Sequence, residues 1–275
     1  AARSSCSAWK PANSACLEGA LLADDAAQEG GCQKLQLVPF QDPPVYGFRT
    51  PLLSSGASAR RPLVLTSFPV PPMPTPPEAL ASVNDIDCRG RTALVTGSTN
   101  GIGRAAALAL GRLGADVVVH GRDPAAGAEV MSTLSDLGAR ATFVEADFTD
   151  PDAVRRLADT ARSWADGLDL LLNNAGGLFQ EKRLVGPGVE LTFHVNHLAP
   201  YLLTAHLLDS LQENARVVTT ASEAHRGATL ALDRLADGGG RAGMGAYSHS
   251  KLANILFARE LGRRLQEAGR SVVSH

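Results

Sequence analysis

From Arg91 onward the chain alternates short apolar runs with longer amphipathic stretches. RTALVT at 91–96 is a β-type run that stops at Gly97, and an alanine-rich stretch at 101–113 follows with a helical period and Gly114 as its stop. Val117, Val118 and Val119 form a second, buried-type run. Asp123-Pro124 and Asp150-Pro151 each pair an N-cap residue with proline at the first helical position, predicting helices over 124–137 and 151–164. Strands are predicted at 141–144, 168–173, 215–220 and 271–274, and long helices at 188–211 and 246–266. On the last helix Leu252, Leu256, Phe257, Leu261 and Leu265 share spacings compatible with one apolar face.

Strands that alternate with helices run parallel, because each crossover helix returns the chain to the same end of the sheet. Right-handed crossovers place helices on both faces, giving an α/β, doubly wound parallel sheet in three layers. Ligands of such sheets bind beyond the carboxyl ends of the strands where strand order reverses.

The first third is a different polymer. Twelve of the 16 prolines precede residue 80 and all four cysteines (Cys6, Cys16, Cys32, Cys88) precede residue 89. Apart from an Ala/Leu stretch at 17–27, no period is sustained before about residue 85, and PVPPMPTPP at 69–77 removes backbone donors and fixes φ. The expectation is a disordered, Pro-rich leader or linker over 1–87, with a Pro-rich ligand for an aromatic groove as the sharper alternative. Glu18, Asp24, Asp25 and Glu29 make it too acidic for a good organellar transit peptide, and it lacks the basic start and apolar core of a secretory signal. The cysteines have neither zinc spacing nor a compact disulfide frame, which favours a reducing, cytoplasmic setting. With 26 basic and 28 acidic side chains the formal charge is −2, so no global charge argues for nucleic acid or an anionic membrane surface. No apolar run is long enough for a transmembrane helix.

The turn after the first strand reads TGSTNGIG at 96–103. Glycines let a backbone approach a pyrophosphate closely, and the helix that starts there offers unpaired N–H groups and a positive dipole end. Gly97, Ser98, Asn100, Gly101, Ile102 and Gly103 are therefore the candidate cofactor turn. An acidic residue about twenty positions on would bind a ribose 2′-hydroxyl. Here the second strand ends in His120-Gly121-Arg122, with Asp123 reading as a helix cap. Arg122 suits a 2′-phosphate, so the expected cofactor is NADP, with NAD as the alternative. Tyr247 and Lys251 are i and i+4 on one helical face. A nearby ammonium favours a phenolate, which tunes a tyrosine as acid/base for interconverting an alcohol and a carbonyl.

TGSTNGIG at 96–103, NNAG at 173–176 and Tyr247-Ser-His-Ser-Lys251, in that order, resemble the short-chain dehydrogenase/reductase family over about 88–275. FHVNHL at 193–198, RVVTTASEAH at 216–225 and the segment after Tyr247 resemble its retinol-dehydrogenase-like and WW-domain-oxidoreductase-like members. The resemblance implies a Rossmann-like fold and an oxidoreductase that moves a hydride between NADP(H) and an alcohol or carbonyl. It implies Tyr247 as acid/base, Ser222 holding the substrate oxygen, Lys251 binding the nicotinamide ribose, and Asn196 positioning a lysine-linked water. Asp147 would contact adenine or its neighbouring turn, Asn173 would support the sheet, and Asn174, Ala175, Gly176, Tyr247 and Lys251 would line the cofactor. Ala221 stands where the family often has a second serine. Helices pairing across a two-fold axis in the family make a homodimer or homotetramer an expectation.

His194 and His197 read as packing or surface histidines rather than metal ligands, and Glu223 and His225 as equally pocket-lining or incidental. Beyond its sixth strand the family continues with a Pro-Gly turn, a threonine segment, a substrate-loop helix and a seventh strand. The sequence stops at His275, so the domain is expected to be incomplete at its C-terminus. The competing reading is a catalytically incomplete nucleotide-binding regulatory or interaction protein on the same fold.

Overall fold

The computed structural model describes residues 78, 81, 83, 85–186, 188–230 and 242–275. The chain divides into units 1–68 and 69–275, and every described residue belongs to the second. The stretches 17–27 and 69–77, Cys6, Cys16, Cys32 and the glycines at 238–240 lie outside the described residues.

Strands β1 (Thr92–Val95), β2 (Asp116–Gly121), β3 (Ala141–Glu145), β4 (Leu168–Asn173), β7 (Leu211–Thr219) and β8 (Val273–Ser274) form one sheet in the order β3-β2-β1-β4-β7-β8. Every neighbouring pair is parallel. From β1 the chain builds outward through β2 and β3, then returns to place β4 on the other side of β1. That reversal opens a crevice at the carboxyl ends of β1 and β4, where Val95 pairs with Leu172.

The helices are α1 (Gly101–Arg112), α2 (Pro124–Asp136), α3 (Pro151–Trp164), α4 (Leu191–Phe193), α5 (Ala199–Leu207) and α6 (Met244–Glu267). Alternate residues of the strands bury into opposite layers. Val95, Val117 and Val119 pack with Ala107 and Leu108 of α1 and Val130 and Leu134 of α2. Leu94, Val118, Leu171 and Val217 pack with Val154, Leu157, Ala158 and Ala161 of α3, Leu203 and Leu207 of α5, and Leu261 and Leu265 of α6. The α3 set has i, i+3, i+4, i+7 spacing, the stripe a helix needs to lie on a sheet. Each leucine so buried contributes roughly 1.5–3 kcal/mol of transfer free energy.

The expected caps form. Asp123 Oδ1 accepts from Ala125 N at 2.9 Å and Asp150 Oδ1 from Asp152 N at 2.9 Å, each ahead of its proline. The helix expected over 188–211 is shorter at both ends. Gly188 has φ +87°, and Val189–Glu190 (β6) pairs antiparallel with Leu184–Val185 (β5). The helix begins only at Leu191, where the Glu190 carboxylate accepts from Phe193 N at 2.8 Å. Short apolar runs suit strand and helix equally, and here a nearby partner segment decides for strand. At the far end Leu211 already pairs with Leu168, and a register shift between Leu168 and Leu170, with the extra residues on β7 around Asn214 at φ +63°, lets β7 start four residues before the expected strand. On α6 only Leu261 and Leu265 of the expected apolar face are buried, while Leu256 is exposed. The residues that let α6 approach its neighbours are smaller or polar: Ala246, Ser250, Ala253 and Asn254. Among the described residues, no helix is long and apolar enough to cross a membrane.

Candidate active site

The carboxyl end of β1 is pinned to that of β4 by Thr96. Its hydroxyl donates to Leu172 O at 3.1 Å and accepts from Asn174 N and Ala175 N, each at 2.9 Å. Asn174 Nδ2 closes the loop by donating to Thr96 O at 2.9 Å. Gly97 has φ +65° and lies so close to the NNAG segment that a Cβ would sit 3.0 Å from Ala175 Cα. Asn100 caps α1 through Oδ1, which accepts from Gly101 N at 2.7 Å. Helix geometry leaves the amides of Ile102 and Gly103 without an intrahelical acceptor. Gly101 (φ +54°) and Ile102 face open space, whereas Gly103 is buried beneath the turn.

Ser98, expected at the cofactor, is bonded within the fold. It is fully buried, its hydroxyl donates to Val95 O at 2.7 Å and accepts from His120 N at 2.9 Å, and its own amide donates to His120 O at 2.8 Å. Its polar atoms are used inside the fold, tying β1 to β2. His120, at the end of β2, is equally buried: Gly97 N donates to its Nδ1 at 3.1 Å, and its Nε2 lies 3.1 Å from Ala146 O.

Asn173 Nδ2 donates to Thr204 Oγ1 at 2.9 Å, fastening β4 to α5. Between α4 and α5 the chain makes one π-helical turn, His194–Leu198, which carries Asn196. Asn196 Oδ1 accepts from Gly177 N at 2.8 Å, and Nδ2 donates to Gly177 O and Ser250 Oγ, both at 3.0 Å. Ser250 Oγ donates to Tyr247 O at 2.7 Å, so Asn196 joins the NNAG loop to the first turns of α6. Lys251, only 4% exposed, donates from Nζ to Thr220 O at 2.8 Å and lies 5.6 Å from the centroid of the Tyr247 ring. A Cβ on Gly176 would lie 2.8 Å from Asn196 Oδ1 and 3.8 Å from Lys251 Nζ, so glycine is what lets these groups converge on the β4 end. Burial lowers the pKa of the Lys251 ammonium below its ordinary value.

Ser222 is half-buried after β7 and caps a short 3₁₀ turn, Glu223–Gly227, that packs against α6. Its Oγ accepts from Ala224 N at 3.2 Å, and the His225 ring binds Ser222 O at 2.7 Å, so His225 orients the serine's backbone. Glu223 is exposed and paired with Arg226 at 2.6 Å. Asp147 is exposed at the end of β3, with Oδ1 accepting from Thr149 N at 2.9 Å. Arg122 is exposed beside the α2 cap. His194 and His197 are separated in role: His197 lies among Phe193, Tyr201 and Phe257 with Nδ1 3.1 Å from Asn254 Oδ1, while His194 is buried against the segment after β3. Thr96, His120, Gly177 and Ser250 are the contributors that sequence reading missed.

Burial holds His120 and His197 at a pKa of about 4, against an ordinary 6.5. The unfolded chain therefore takes up these protons first as pH falls from 6.5 toward 4, and stability falls with it. At pH 5 each histidine is expected to remove about 2 kcal/mol relative to pH 7.5. Urea unfolding at the two pH values checks this, and a midpoint that does not move between them overturns it.

The sequence profile described as short chain dehydrogenase matches residues 91–274. Polyprenol dehydrogenase of Mus musculus is 38% identical over 194 residues, 68% of this chain and 58% of that protein. Retinol dehydrogenase 12 of Mus musculus is 34% identical over 189 residues, 67% of this chain and 60% of that protein. The chain thus spans about three fifths of the length of these relatives. A short chain dehydrogenase from Burkholderia cenocepacia J2315, solved in complex with NADP, superposes with a TM-score of 0.55 at 32% identity, covering 68% of this chain and 72% of that one. The glycine turn, the strand order and the Asn196–Lys251 cluster are thus matched by a sequence similarity that runs through nearly every strand and helix described above: the chain belongs to the short-chain dehydrogenase family.

Proposed function

We propose that this chain binds NADP(H) and interconverts an alcohol and a carbonyl. The observation that carries the reading is the convergence of Asn196, Tyr247 and Lys251 on the carboxyl end of β4, beside the glycine turn of α1. The residues fit a dinucleotide. Gly101 leaves open space where a Cβ would stand, and the first-turn amides of Ile102 and Gly103, which have no intrahelical acceptor, are available to an anion there. When bound, the nicotinamide ring supplies or accepts the hydride.

The chain's own residues do the rest. Tyr247 donates a proton to the oxygen of the carbonyl in reduction and removes it in oxidation. The Lys251 ammonium, held by its bond to Thr220 O, lies beside the Tyr247 ring and stabilises negative charge developing on the phenol. Ser222 offers its hydroxyl to the same substrate oxygen. Asn196 holds the Gly177 backbone and, through Ser250, the first turn of α6, so its part is positioning. Incubation with NADPH and a panel of apolar aldehydes and ketones, followed by NADPH absorbance, tests the reading. Nucleotide binding with no consumption of NADPH across the panel would favour the binding-protein alternative.

For the nucleotide itself, Arg122 supports NADP. Asp123, the acidic side chain nearest in sequence, has its carboxylate committed to the α2 cap. Arg122→Ala is expected to weaken NADPH binding about ten- to hundredfold, the loss of charge-assisted hydrogen bonds. NADH affinity should stay within about twofold, as there is no 2′-phosphate to lose. Equal losses for both nucleotides would remove this role for Arg122.

A further inference from the structure

His120 is a polar side chain where the pattern of β2 calls for another valine, and it is 3% exposed. Its ring stands between two segments at the carboxyl ends of the strands, the glycine turn and the stretch after β3. On one side Gly97 N–H donates to Nδ1. On the other, Nε2 faces the Ala146 carbonyl at hydrogen-bond distance. The same ring stacks on Phe148, with centroids 4.5 Å apart and planes 20° from parallel. An amide donor on Nδ1 and a carbonyl acceptor at Nε2 permit only one ring form: neutral, with its proton on Nε2. Two charged groups act on it in opposite senses, Arg122 disfavouring and Asp147 favouring a second proton, and burial outweighs both.

We propose that His120 is a positioning residue for nucleotide binding, a neutral Nε2–H imidazole that sets the glycine turn and the Ala146–Phe148 segment at a fixed separation. The turn meets the diphosphate, and the segment carries Asp147 on the adenine side. The ring thus spans the half of the crevice that holds the adenosine diphosphate, far from Tyr247 in the chain and apart from the proton chemistry. This inference rests on the dinucleotide part of the proposed function and not on its hydride step.

The test uses 2′-phospho-ADP-ribose, which lacks the nicotinamide, titrated calorimetrically against the full chain and three variants, with thermal unfolding in parallel. His120→Leu removes both hydrogen bonds and should weaken binding about five- to hundredfold, the range for a buried polar group left unpaired. His120→Asn carries an acceptor where Nδ1 stands, and His120→Gln a donor where Nε2 stands. Each should restore part of the affinity, and Asn should do so without recovering the stability lost at Ala146. Long-range proton–nitrogen NMR of the unaltered chain at pH 6 should show this one ring neutral, with Nδ1 unprotonated and shifting when ligand binds. Leucine, asparagine and glutamine variants that bind as tightly as the parent overturn the inference, as does an Nδ1–H or doubly protonated ring. A parent chain that does not bind the ligand at all overturns the dinucleotide reading itself, which separates the two failures.

Discussion

Tyr247→Phe is expected to lower carbonyl reduction about 10²–10⁴-fold while leaving NADPH affinity within about twofold, because general acid–base catalysis contributes on that scale. The substitution removes one oxygen. The aromatic ring that faces Lys251 at 5.6 Å remains, and so does the Tyr247 backbone carbonyl that accepts from Ser250 Oγ at 2.7 Å. The Asn196–Ser250 link therefore survives, and α6 keeps its approach to the NNAG loop. Lys251→Met makes a useful contrast. It removes the bond to Thr220 O together with the charge, so both turnover and nucleotide affinity should fall. A split for the tyrosine and a joint loss for the lysine, read by single-turnover NADPH oxidation beside a fluorescence titration, assigns the proton to the phenol. Retention of more than about a tenth of the activity by the phenylalanine variant would take the acid role away from Tyr247.

What sequence reading can recover depends on how local the cause is. Helix starts were legible because their signals sit within three residues: Asp123 and Asp150 each accept from amides just downstream, ahead of a proline. The central strands were legible because Val117–Val119 and Leu171 are buried on strands flanked by neighbours on both sides. The helix over 188–211 was overextended because β6 exists only by pairing with β5, and β7 begins at Leu211 only by pairing with Leu168. Neither partner can be seen from a hydrophobic period. In the site, glycines and the Tyr247–Lys251 spacing announce themselves. Thr96 does not, because a threonine ending a strand is ordinary until β4 arrives beside it and two amides converge on its hydroxyl. Ser98 is the opposite case, since its place in the glycine turn suggests a cofactor contact while the fold also draws its hydroxyl into the β1–β2 seam. His120 had one usable signal, a histidine closing a run of three valines, which the search for an acidic or basic ribose ligand passed over.

Gly103→Ala is expected to destabilise the chain without ligand and to weaken nucleotide binding more than about tenfold. The added methyl would strike the Gly97 carbonyl oxygen and lie 2.5 Å from Asn174 Nδ2 and 2.9 Å from the Gly97 carbonyl carbon. None of these atoms can retreat cheaply. Gly97 is anchored by its amide to His120, and Asn174 is held at both ends by Thr96. Overpacking that must move backbone costs about 1–3 kcal/mol or more, which lowers the unfolding temperature by several degrees in a domain of this size. Gly101→Ala is the complementary case. Nothing lies within 4 Å of its Cβ, so the chain alone bears only the strain of an alanine at φ +54°, about 1 kcal/mol. What the Gly101 methyl does obstruct is whatever enters the open space before α1. If that space receives a pyrophosphate, Gly101→Ala loses affinity with little loss of thermal stability, whereas Gly103→Ala loses both. If Gly101→Ala binds NADPH as the parent does, the nucleotide does not approach the turn from that side, and the amides of Ile102 and Gly103 are not its ligands.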